Sequence, residues 1–201
     1  MDEVVTGIGL WPGLLSVAVG LGLAAACGFR VFVPLFIASV ASRFYHLPLA
    51  AGFAWLGSLP ALLAFGTATT LEVIAYYIPW LDHALDVIAT PAAVMAGMLS
   101  AASVVTDLPP LLKWSIAIIC GGGAAGLIQG ASVLLRLKST ALTGGLANPV
   151  LSTAELAGAA GTALLAILLP LLCLTLVVLL LIVAFRSAGR LIFGRRPAPA
   201  G

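Results

Sequence analysis

Charge is scarce in this chain: of 201 residues only 8% are Asp, Glu, Lys or Arg, while 62% are hydrophobic. Soluble domains carry about 25% charged and about 45–50% apolar residues, so a water-soluble fold of this size is excluded. Cysteine is sparse as well. Cys27, Cys120 and Cys173 lie in apolar runs, without CxxC spacing and in odd number, which argues against a disulfide framework or a thiolate metal site. All three read as buried small hydrophobes. The chain lacks GxSxG, HExxH and a Walker loop, and Gly121-Gly122-Gly123 has no Lys-Ser behind it. No basic patch with interleaved aromatics accompanies the net charge of +2, so nucleic acid is not implied, and nothing points to a cofactor. The N-terminal Met-Asp-Glu-Val-Val lacks the positive region of a cleaved signal peptide, so the first span is expected to be retained.

What the chain has is apolar sequence in long runs, with a mean hydropathy of +1.22. A bilayer span needs about 20 such residues. Five runs qualify: 14–42, 51–79, 85–106, 112–136 and 151–186. The first, second and fifth exceed the need, so they are tilted, kinked at Pro34, Pro60 and Pro170, or divided. The fifth divides most readily, with a span from about Leu164 to Phe185, which makes six the alternative count. The expected fold is an all-α polytopic membrane protein: one transmembrane domain over 1–188, then a basic, disordered tail over 189–201.

Lys and Arg near span ends set orientation. With five spans, Arg43, Lys113, Arg186, Arg190, Arg195 and Arg196 share a side, taken as cytoplasmic, and Asp2, Glu3, Asp82 and Asp86 face out. The expectation is N-terminus out and C-terminus in, in a bacterial inner membrane. Arg136 and Lys138 break the rule by landing outside. The stretch they open, Lys138 to Glu155, is an outer loop turned at Asn148-Pro149 or a re-entrant segment. Within it Gly144-Gly145, near Lys138, is a backbone nest for an anion or a flexible turn.

Gly20, Ala24 and Gly28 recur at helical spacing, as do Gly122, Gly126 and Gly130. Small residues so placed let helices approach closely, within the chain or between copies in a homo-oligomer. The two stripes are offset by a constant interval, which hints at an internal repeat.

Arg30 stands near the middle of the first run. A guanidinium at that depth costs about 2.5–3.5 kcal/mol unless a partner or water meets it. At 1.5 Å per residue, Arg30 lies about 20 Å from Arg43, and Glu72 lies about 15 Å from Asp82. Glu155 opens the fifth run, so all three belong near the midplane or the outer half. Arg30 can pair with Glu72 or Glu155, and the pair is either a structural clamp or a pathway site. Thr67, Thr69 and Thr70 precede Glu72, and Tyr76 follows it by one turn, a stripe that can line a path or return to its own backbone. Asp82, His83 and Asp86 form a weak metal signal within an aromatic interfacial belt. No metal site is assigned, and His46 reads as solvated.

Three motifs in order resemble the bacterial membrane-protein family known as domain of unknown function 4126. They are Gly22-Leu-Ala-Ala-Ala-Cys-Gly-Phe-Arg30 with Pro34; Thr70-Leu-Glu72 leading to Ile78-Pro79-Trp-Leu-Asp82 and Asp86; and Ser139-Thr-Ala-Leu-Thr-Gly-Gly-Leu-Ala-Asn-Pro149 with Ser152 and Glu155. The resemblance covers roughly 15–180. An acidic residue often stands in that family where this chain has Tyr76 or Tyr77. The likeness implies an architecture and a set of polar positions, not a reaction; the fold expected from the residues has broken helices around Arg30–Pro34 and Thr143–Pro149.

The leading expectation is a small transporter or channel-like protein moving an ion or small solute. Its polar site comprises Arg30, Glu72, Tyr76, Asp82, Asp86, Thr143, Gly144, Gly145, Asn148 and Glu155. The alternative is a non-transporting scaffold that docks partner helices on its glycine stripes. An enzyme ranks third, since no complete catalytic constellation is visible.

Overall fold

Proline punctuates the helices. It lacks an N–H and its ring clashes with a preceding turn, so it suits the first turn of a helix and disrupts an interior. A computed structural model describes residues 10–106 and 108–193, and the side chains of these except 10, 79–86 and 187–193. Its helices are α1 (Leu10–Cys27), α2 (Phe32–Tyr45), α3 (Leu59–Ala75), α4 (Pro79–Val104), α5 (Pro110–Thr143), α6 (Asn148–Leu168) and α7 (Pro170–Phe193). From α2 onward, Pro34, Pro60, Pro79, Pro110, Pro149 and Pro170 each fall within the first turn. A short 3₁₀ turn, Ala54–Gly57, precedes α3. No strand occurs among the described residues.

The fold is all-helical as expected, but the described helices number seven rather than five or six. The run 14–42 is divided, as one of its alternatives had it: the helix break expected around Arg30–Pro34 falls at residues 28–31, between α1 and α2. The run 151–186 divides at Leu169, ahead of Pro170, not near Leu164. Pro60 opens α3 instead of kinking it. The polar stretch from Lys138 to Glu155 is mostly helical, since α5 continues to Thr143 and α6 starts at Asn148, and the break expected around Thr143–Pro149 is the tight turn 144–147 between them. The reversal falls on Gly144 and Gly145, at φ of 63° and 89°, a region that favours glycine; Asn148-Pro149 begins the next helix. Helix α7 also runs to Phe193, into the segment read as a tail. Asp2, Glu3, Arg195 and Arg196 lie outside the described residues.

Consecutive helices run antiparallel. Phe36 lies over Gly66 while Ser39 Oγ donates to Leu56 O at 2.6 Å, and Asn148 Nδ2 donates to Thr140 Oγ1 at 3.2 Å. Helix α1 is central, and Ala18, Leu23, Ala24, Ala25, Ala26 and Cys27 are fully buried. Its glycines are the reason. A Cβ at Gly20 would stand 3.2 Å from the Ala101 backbone, one at Gly22 would meet Ala166 and Cys173, and one at Gly28 would fall 2.6 Å from Ala125 O. The first stripe is thus used inside the chain. In the second, Gly122 and Gly126 face Val94 of α4, whereas Gly130 faces open space.

The repeat stops at the glycines, because the counterpart of the α1–α2 break falls within α5, which runs unbroken through its π-helical stretch Ala117–Gly122. On that stretch Gly121 and Gly122 are buried while Ile118, Ile119 and Cys120 face outward. Cys120 is therefore exposed, contrary to expectation; Cys27 and Cys173 are buried. Three helical segments, Val87–Val104, Pro110–Thr143 and Asn148–Leu168, are long and apolar enough to cross a membrane, by length and composition; α1, α2, α3 and α7 contribute shorter apolar segments.

Adding a methyl at Gly28 should push α1 off α5 and cost about 1–3 kcal/mol, while Gly130→Ala should cost nothing. Unfolding of both variants in detergent tests this, and equal midpoints would refute the close-packing account.

Candidate functional site

The α1–α2 hairpin ends inside the bundle. Gly28 packs on Ala125 and Ile128 of α5, and α5 continues beyond Ile128 for about 22 Å at 1.5 Å per residue to Thr143. At the tip, Gly28 N–H donates to Ala25 O, and Phe29 and Arg30 N–H both donate to Ala26 O. The first N–H groups of α2 have no such partner, since a helix start leaves its donors free. Glu72 of α3 supplies the acceptors: Val31 N donates to Oε1 at 2.7 Å and Phe32 N to Oε2 at 3.1 Å. The carboxylate also complements the positive end of the helix dipole. Pro34 removes one further donor from that turn.

Arg30, 2% exposed, sits beside this cap. Its Nη2 donates to Ser152 O at 2.9 Å and stands 3.5 Å from Glu155 Oε2. Its guanidinium carbon lies 3.7 Å from the centroid of the Tyr76 ring, and that of Arg136 lies 4.4 Å from the same ring. Arg136 Nε donates to Glu155 Oε1 at 3.1 Å, and its Nη2 donates to Oε2. Glu155 therefore grips Arg136 with both oxygens and meets Arg30 at longer range. Desolvated cation–π contacts contribute about 2 kcal/mol. Arg30 is nonetheless incompletely matched: its Nε and Nη1, and the Oγ of Ser152, are buried without a hydrogen-bond partner in the protein. Each such buried group costs about 1–3 kcal/mol, more when charged.

Of the residues expected at the site, Arg30, Glu72, Tyr76 and Glu155 come together. Arg30 pairs with Glu155, and Glu72 serves the backbone. The turn residues stand apart. Thr143 Oγ1 donates to Ser139 O and accepts from Ala147 N, Gly144 and Gly145 form the reversal, and Asn148 binds Thr140. Asp82 and Asp86, with His83, lie outside the described side chains. Thr67 and Thr70 hydroxyls return to the carbonyls of Leu63 and Gly66. Among the described residues no three potential metal ligands gather.

Two contributors were missed. Arg136 was read as an outer-loop cation, yet it is 4% exposed within α5. Its signal was present: Ala125, Gln129, Ser132 and Arg136 fall on one face of a 3.6-residue helix, and all four are buried. Ser152 enters through its carbonyl, which no side-chain pattern reveals. Glu72 and Tyr76 are also reached from outside, by a groove of about 340 Å³ between α2, α3 and α4.

Glu155→Gln leaves two guanidinium groups on one ring without their shared carboxylate. A loss of about 3–5 kcal/mol follows for breaking a buried pair. Denaturation in detergent measures it, and a loss below 1 kcal/mol would mean that Glu155 is not the anchor of the cluster.

Neither a curated protein nor a solved structure matches the chain. A family model matches residues 17–190, a range that includes every member of the cluster. The chain belongs to the family described as Domain of unknown function (DUF4126).

Proposed function

We propose that the chain is a small membrane transporter or channel-like protein that moves a small anion past Arg30. The carrying observation is the incomplete matching of that guanidinium: buried, held by one carbonyl, the Tyr76 ring and one more distant carboxylate, with Nε and Nη1 lacking a hydrogen-bond partner. Ionisable groups at such depth mark pathways and ligand sites, and interrupted helices meeting inside a bundle are a recurrent setting for transported solutes. Membrane residence is supported by the exterior, where Leu63, Leu71, Ile119, Leu142 and Phe185 are among the large exposed hydrophobics.

A bacterial inner membrane with the N-terminus outside remains the orientation favoured by charge. Antiparallel alternation groups Lys138 with Arg186 and Arg190, against Arg43 and Lys113 at the opposite end. Lys138 then obeys the positive-inside rule instead of breaking it, and Arg43 and Lys113 change sides. The scaffold reading has less behind it, because the Gly20–Gly28 stripe is already covered within the chain.

Reconstituted proteoliposomes loaded with chloride, nitrate or acetate test the proposal. The wild-type chain should conduct at least one of them, and Arg30→Gln should lower that flux more than tenfold. The variant should still fold, because the Arg136–Glu155 pair stays intact. Unchanged flux in Arg30→Gln, or no flux from the wild-type chain, overturns the reading.

A further inference from the structure

A second feature lies along α5 and α7. The groove between α5 and α7 has a volume of about 560 Å³ and follows α5 from Gly126 to Lys138. At 1.5 Å per residue that course is about 18 Å, close to half of a bilayer core about 30 Å thick. Its floor includes Gly130, where an added Cβ would meet nothing within 4 Å, and Leu134 and Val183 form its walls. The lining residues include no acid, and the single cation, Lys138, stands at one end. Arg186 follows closely on Ala184, the last residue of α7 to line the groove. Length, apolar floor and terminal charge together match one amphiphile.

We infer that this groove binds an anionic phospholipid, one acyl chain lying over Gly126 and Gly130 and the phosphate meeting Lys138. A lysine stem can lie along apolar surface while its ammonium reaches the headgroup level, where basic residues attract anionic lipid. A helix of a second copy is the poorer occupant, because it would cover the ammonium with apolar side chains. The inference requires residence in a bilayer and is independent of what passes Arg30.

Native mass spectrometry of the full chain tests it, with phosphatidylglycerol and phosphatidylcholine of identical acyl chains as probes. The wild-type chain should retain phosphatidylglycerol about fivefold better than phosphatidylcholine. Lys138→Gln should level the two, and Gly130→Leu, which fills the groove, should lower both. Equal retention of the two lipids by the wild-type chain overturns the site. So does undiminished binding by a Gly130→Leu variant, or efficient cross-linking of Leu134→Cys between two chains in membranes. Lys138 is exposed, so its variant keeps the test decisive even where Gly130→Leu fails to fold.

Discussion

Two backbone N–H groups inside the bundle govern much of the rest. A helical hairpin that ends inside the bundle presents the first donors of its second helix away from bulk water, and each unmet donor is costly. Val31 and Phe32 meet this through the carboxylate of Glu72, from a different helix. That solution brings a charge into the interior, and the next requirements follow from it. Arg30 sits beside the capped turn, Glu155 faces Arg30, and Arg136 closes on Glu155. Tyr76, one turn beyond Glu72, gives its ring to both guanidinium groups.

The hairpin can occupy that position because α1 is thin. Gly20, Gly22 and Gly28 bring the backbone of α1 close to α4, to α6 and α7, and to α5 respectively. Dispersion between close backbones is a principal source of helix association in lipid. Small residues and buried charges are therefore parts of one arrangement: the first set the depth of the tip, and the second satisfy it there.

Much of this was legible in the sequence, and the failures have physical causes. Arg30 and Glu72 come to a similar depth by rise per residue, because depth is additive along a helix, and Glu155 by its place at the start of the fifth run. Hydropathy could not distinguish one long broken span from two short helices, since residues 14–42 are apolar in either case. The distinction rests on an acceptor for the α2 donors that lies on α3, and such long-range pairing leaves no local trace. Pro34, Pro60 and Pro170 mark helix starts; run length alone leaves each open as a kink or a division, and only first-turn chemistry favours the division. Arg136 was lost for a related reason. The apolar run 112–136 stops at Arg136, although a long helix can carry a charge on an inward face, as Gln129 and Ser132 on that same face indicate.

The form of the cluster bears on whether it only holds helices together. A helix start can be capped locally by Ser, Thr, Asn or Asp, yet Val31 stands at the N-cap of α2 and offers no side-chain cap. Buried ion pairs are often replaceable by apolar residues without loss of stability, so retaining both guanidinium groups is not the least costly route to a stable bundle. Nor is Arg30 placed as a clamp would place it, because its shared carboxylate leans toward Arg136 and its Nε and Nη1 stay unpartnered. An anion arriving on those donors would compete with Glu155 for Arg30 while leaving the Glu72 cap and the Arg136 pair in place. On the proposed reading, the hairpin tip is thus fixed by contacts that a solute does not disturb and charged by one that it can share.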